Sequence, residues 1–183
     1  MAAIAREEAP KLSTILILCV IVGVTMPRSA LGNENWPAHT QHLFNIERSQ
    51  NANIVQYDVV LREDGSLNRD DPVISYWIRK AEDGRRQQLS LLERKLAYGF
   101  STRVLDDGTV LMDMAADIRR MVRVERKADR WVAITRINGH SAAIERIYVT
   151  LEEARPLPKV EFVDLYGNDV VTGESVHERY FKR

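Results

Sequence analysis

The densest group of residues able to recognise a ligand is Arg48-Ser49-Gln50-Asn51-Ala52-Asn53. The alternating run from Leu43 to Arg48 puts Arg48 on the same strand face as Phe44 and Ile46. A guanidinium on an apolar face must meet a carboxylate or present its planar fork to an anion, because an unpaired buried charge is too costly. Glu93, on the one helical segment, is the expected partner. A structural alternative gives Asn51 and Asn53 the left-handed or Asx-turn geometry of a tight connection, with Arg48 tying it down. In the binding alternative Tyr57, Tyr76 and Tyr98, with Trp77, point inward and enclose a modest ligand whose anionic end the arginine orients. The candidate ligand set is therefore Arg48, Asn51, Asn53, Tyr57, Tyr76, Glu93 and Tyr98.

A second group is the basic stretch Arg119-Arg120-Met121-Val122-Arg123-Val124-Glu125-Arg126-Lys127, joined by Arg130 and Arg136. On adjacent antiparallel strands, Arg119, Arg123 and Arg136 form a candidate patch for phosphate, lipid head groups or acidic glycans. A solvated sheet face balanced by acids elsewhere is the alternative. His39-x-x-His42 has a spacing that could hold a metal, but it has no matched second pair, so no metal and no cofactor are expected. His140 follows a turn glycine, and His177 lies in a polar tail. Gly139-His140-Ser141 does not fit the nucleophile-elbow frame, and no glycine-rich phosphate loop follows a strand. No catalytic residue is identified.

The elements that would position these residues are almost all strands. Val55, Tyr57, Val59 and Leu61 alternate with Gln56, Asp58, Val60 and Arg62, the period of a strand with one buried face. Val73 to Ile78 is apolar on both faces and predicts a covered strand. The single helix, Leu91 to Tyr98, has capping-box spacing at Ser90 and Glu93 and a stop at Gly99. From Phe100 onward Asp107-Gly108, Lys127-Ala128-Asp129 and Asn138-Gly139 separate strand-like runs, and Asn138-Gly139 predicts a type I′ hairpin. Pro156-Leu157-Pro158 interrupts the chain before a last alternating strand, Val160 to Tyr166. The expected fold is mainly β: an antiparallel meander closed as a small barrel or sandwich, with one short helix packed on it.

At the N-terminus, Leu12 to Met26 is an uncharged apolar run in a chain of 26 basic and 26 acidic residues. It is shorter than the roughly 20 residues that span a bilayer comfortably, and it follows Arg6 and Lys11 and precedes the small-x-small triplet Ala30-Leu31-Gly32. These features predict a secretory signal over 1–32, cleavage after Gly32 and a periplasmic or secreted product. An uncleaved anchor is the alternative, and it would be the chain's contact with the membrane. Cys19 lies inside the apolar run and is expected to be discarded with it, leaving a domain without disulfides. An irregular arm over 33–41, a single domain over 42–170 and a polar tail over 171–183 complete the division. The charge balance gives no sign of nucleic acid as a partner.

Phe44-Asn45-Ile46-Glu47-Arg48-Ser49-Gln50-Asn51-Ala52-Asn53 resembles the opening of an uncharacterised family of exported bacterial domains that begin F-x-I-x-R-S-x-N-x-N. Pro72 with Tyr76-Trp77-Ile78, Leu92-Glu93 with Ala97-Tyr98-Gly99, and Val163-Asp164-Leu165-Tyr166-Gly167 are similar to its later landmarks. The resemblance implies an exported single domain and transfers no activity. Three classes of function stay open: non-catalytic binding of a small anionic or amphipathic ligand or an envelope partner, a structural envelope protein, and an enzyme with a site around Arg48 and Glu93. A buried cavity at Arg48 would favour binding, a solid core with an exposed edge interaction, and a paired acid and base in an open cleft catalysis.

Overall fold

A computed structural model describes residues 36–115, 120–152 and 159–181. The expected signal over 1–32, Pro156-Leu157-Pro158 and Arg119 lie outside these residues. Eleven strands make one sheet. The first four are β1 (His39–Arg48), β2 (Asn51–Leu61), β3 (Val73–Ile78) and the short β4 (Arg86–Gln88). After a helical turn come β5 (Phe100–Val104), β6 (Val110–Met114), β7 (Met121–Lys127) and β8 (Arg130–Ile137). The chain ends with β9 (His140–Glu152), β10 (Lys159–Asp169) and β11 (Ser175–Phe181).

Neighbours in sequence pair antiparallel except β4 and β5, which lie at opposite ends of the strand order, and β1 pairs parallel with β9, Asn45 opposite Arg146 and Arg48 opposite Val149. The antiparallel meander is corrected at this point. β10 lies along β9 from Ala142 to Glu152, so β8 and β1 must share the opposite edge, β8 over residues 140–143 and β1 over 146–149. Two strands on one edge split the sheet into two wings, β1–β4 and β5–β8. The result is an open, curled half-barrel and not a closed one. Where β1 and β8 diverge, the Gln41 amide donates to the Trp131 carbonyl at 2.9 Å and accepts from its N–H at 3.0 Å, replacing ladder bonds that the split removes.

The main core fills the space between the wings. Phe44, Val55, Tyr57 and Trp77 from one side meet Val110, Met112, Val124 and Trp131 from the other. Each such side chain contributes about 1.5–3 kcal/mol by leaving water. A second small core of Ile137, Ala142, Val163 and Leu165 lies under the β10–β11 hairpin. Residues expected to form a polar tail instead build β11, whose Val176 and Tyr180 pack on that second core.

Turn chemistry accounts for the local boundaries. Asn138 and Gly139 both take positive φ (49° and 84°) and close the β8–β9 hairpin. Ser90 and Glu93 make both bonds of a capping box around α1 (Leu91–Glu93), which continues as a π-turn over Arg94–Tyr98. Gly99 leaves that turn with extended backbone, and only glycine fits there because an added Cβ would overlap the Arg94 carbonyl oxygen.

Candidate functional site

The polar connection at the β1–β2 turn is largely engaged in structure. The Ser49 N–H donates to the Val149 carbonyl, and its hydroxyl accepts from the Leu151 N–H, both at 2.9 Å, which extends the parallel β1–β9 pairing. Gln50, and neither asparagine, takes the positive φ, 60°. Asn51 Oδ1 accepts from the Asn53 N–H in an Asx turn, and Asn53 Oδ1 accepts from the Ala81 N–H, tying this turn to the one after β3.

What the connection leaves available is an open basin of about 280 Å³. It is lined by Glu47, Arg48, Gln50 and Asn51 together with Lys80 and Tyr148. Among the described residues Arg48 forms no ion pair with Glu93, so that expected pairing is corrected. The two meet through Trp77 instead. The Arg48 guanidinium lies 5.6 Å and that of Arg79 5.3 Å from the indole centroid, while the indole N–H donates to Glu93 at 3.1 Å. An electron-rich ring between two cations, polarised by a carboxylate at its N–H, satisfies Arg48 without neutralising it. Arg48 and Asn51 thus reach the basin, whereas Asn53 and Glu93 support it from behind.

Tyr57 and Tyr98 are core groups. Tyr57 stacks on Phe44 with centroids 4.6 Å apart and donates its hydroxyl to the Tyr98 carbonyl at 2.7 Å. Burial, with Tyr98 beside it, raises the Tyr57 phenol well above its ordinary range. Tyr98 packs edge-on to Trp77 at 5.3 Å. Tyr76 is also fully buried but on the opposite face, so the inward aromatic set is corrected to Tyr57, Trp77 and Tyr98.

Tyr76 belongs to a polar network that sequence reasoning missed. Its hydroxyl donates to Asp58 Oδ2 at 2.5 Å, and the Gln56 amide donates to Asp58 Oδ1 at 2.8 Å. His42 Nδ1 approaches Asp58 at 3.3 Å, Trp36 packs edge-on to Tyr76 at 5.1 Å, and Arg86 lies 4.9 Å from its ring centroid. Burial pushes the Asp58 carboxyl up, but the hydrogen bonds from His42, Tyr76 and Gln56 outweigh it and hold the group below the usual range. Burial and the Asp58 bond raise the Tyr76 phenol. A second buried carboxylate, Asp164, accepts two bonds from Arg179 at 2.8 and 2.9 Å and one from His177 at 2.7 Å. His140 meets Asp169 at 2.9 Å. Each of these three histidines has an aspartate beside it, and no group of three or more metal-ligating side chains occurs among the described residues.

Of the candidate anion patch, Arg123 approaches Glu125 at 3.7 Å, a carboxylate that Lys127 also reaches at 2.9 Å. Arg136 is exposed on β8, and its carbonyl accepts from Arg120. Arg120 is in turn doubly bonded to Glu178.

Comparison with protein families decides the kinship. A model described as the domain of unknown function DUF4833 matches residues 44–179. The chain belongs to that family. No curated protein and no solved structure matches the chain. The DUF4833 match opens on Phe44 and closes on Arg179, so it encloses the basin and both buried aspartates.

The DUF4833 domain's carboxylates define an acid limit. Arg179 holds Asp164 below the ordinary carboxylate range, Arg120 does the same for Glu178, and the Thr172 and Val171 N–H groups do so for Asp169. Such groups contribute stability that is complete above their unfolded values, near 4, and is lost as pH falls through the lower folded values. The urea midpoint is therefore expected to hold from neutral pH to about pH 5 and to fall progressively below about pH 4. Asp164→Asn should flatten that fall, and a wild-type midpoint unchanged on acidification would remove the claim.

Proposed function

We propose that the domain is a non-catalytic binding module that receives the anionic end of a small ligand in the basin at the β1–β2 turn. One observation carries this reading: Arg48 and Lys80 line the same open basin, and neither lies within ion-pair distance of a carboxylate among the described residues. Glu47 on the rim is drawn to Arg146 at 3.6 Å. Gln50 and Asn51 add amide groups that can bond a carboxylate, phosphate or sulfate. Catalysis would need a paired acid and base facing the basin, but the His42–Asp58 network is built from other residues than those lining it. The apolar run Leu12–Met26 and the triplet Ala30-Leu31-Gly32 support export, so we place this binding in the cell envelope.

Isothermal titration with inorganic phosphate, sulfate and a dicarboxylate tests the proposal. At least one probe is expected to bind, and Arg48→Ala to weaken it about tenfold or more, the worth of a charge-assisted hydrogen bond. Arg48→Lys should fall between, because it keeps the charge and loses the fork. Arg123→Ala is the control and should bind like the wild type. Equal affinity of the wild type and a folded Arg48→Ala domain for every probe would end the assignment.

A further inference from the structure

The turn after β4 leaves two large aliphatic side chains in water. Leu91 is 86 % and Leu92 42 % exposed, at the start of the helical segment that runs on to Tyr98 and whose next exposed residues are Arg94 and Lys95. Neither cation forms an ion pair among the described residues, and Glu93, between the leucines and the cations, is turned inward to Trp77. A leucine pair followed by two cations, with the one intervening acid removed from the surface, matches the interface of a bilayer: aliphatic groups enter the acyl boundary while cations meet anionic head groups.

The position of the N-terminal segment argues for the same occupant. Trp36 packs on Tyr76, Tyr76 is the register partner of Gln88 at the β3–β4 edge, and Leu91 follows three residues later. The described chain therefore begins beside the edge that carries the leucine turn. Residues 27–35 separate Trp36 from the apolar run ending at Met26. Nine residues span at most about 30 Å, so where the run is kept as an uncleaved anchor, the alternative to cleavage after Gly32, the membrane holding it keeps this edge of the domain close to its surface.

We infer that the Leu91–Lys95 turn is a docking point for an anionic lipid surface, with Leu91 and Leu92 entering the interface and Arg94 and Lys95 facing the head groups. This reading is independent of the basin.

The test uses the full chain with Cys19→Ser and Leu91→Cys, labelled at the new thiol with an environment-sensitive fluorophore. A matched chain carries the label at Val171, which is 88 % exposed on the β10–β11 turn. On vesicles of phosphatidylcholine with phosphatidylserine, the label at 91 is expected to report a non-aqueous environment and the label at 171 to remain in water. Arg94→Ala and Lys95→Ala should each reduce the docked fraction about fivefold relative to the undocked one. Docking on pure phosphatidylcholine equal to that on the anionic mixture would overturn the head-group assignment. A label at 91 that stays in water on both vesicles, shifts equally with that at 171, or is shielded before vesicles are added would overturn the docking point itself, the last result pointing to another protein segment as its cover.

Discussion

Asp58→Ala is expected to destabilise the domain by about 3 kcal/mol, lowering the melting temperature by about 6–12 °C. The carboxylate is 2 % exposed and receives bonds from Tyr76 and Gln56 with His42 beside it. Alanine leaves the Tyr76 hydroxyl buried against an apolar methyl group, and an unsatisfied buried donor costs about 1–3 kcal/mol in addition to the bonds lost. Tyr76→Phe alone should cost less, since Asp58 keeps its other partners. The double variant Asp58→Ala with Tyr76→Phe removes donor and acceptor together and should cost clearly less than the sum of the two single losses. Thermal melts of the four proteins give a double-mutant cycle. Strictly additive losses would show that the 2.5 Å contact contributes no coupling.

Gly167→Ala should be the more damaging backbone substitution, with an expected loss of about 3 kcal/mol or more. Gly167 sits at a register shift between β10 and β9, where an added Cβ would overlap the Ala143 carbonyl oxygen and lie 3.0 Å from Ile137 Cδ1. The carbonyl belongs to the strand that both wings share, so it cannot yield without disturbing the ladder. Gly173→Ala is the comparison. Its φ is 74° with nothing within 4 Å of the added carbon, so its cost should be only the backbone preference of about 1 kcal/mol. Chemical denaturation of both variants checks the order, and equal losses would mean that the β9–β10 pair can open at little cost.

Features determined by neighbouring residues were legible in the sequence. Asn138-Gly139 specified its hairpin because few other residues accept two consecutive positive φ values, and Ser90 with Glu93 specified a helix start because their side chains reach each other's backbone. Alternation in β2 identified the face of Tyr57 but not what covers the other face, so Asp58 read as a solvent-facing residue when it is buried. Val73 to Ile78 carries β-branched or aromatic residues on both faces, which left the face of Tyr76 undetermined. β11 escaped because Glu178 interrupts its apolar alternation, and the arginine that satisfies Glu178 lies 58 positions away. The basin was half legible: Arg48 and Asn51 were named, whereas Lys80 and Tyr148 reach it only through tertiary pairing.

The edge of β9 shared by β1 and β8 also governs the order in which the chain can assemble. β1–β2–β3 is a local hairpin series available early, but Arg48 must wait for Val149, about a hundred residues later, before its strand is covered. Pairing at such separation carries a loop-closure cost that slows folding. Until then β1 presents an uncovered edge and the wing has only half a core, which is the kind of intermediate that aggregates or engages a chaperone. A chain threaded through a translocase from its N-terminus would stay incomplete until nearly all of it had passed. The split sheet thus builds a delay into the topology, because the native core can close only once nearly all of the chain is available.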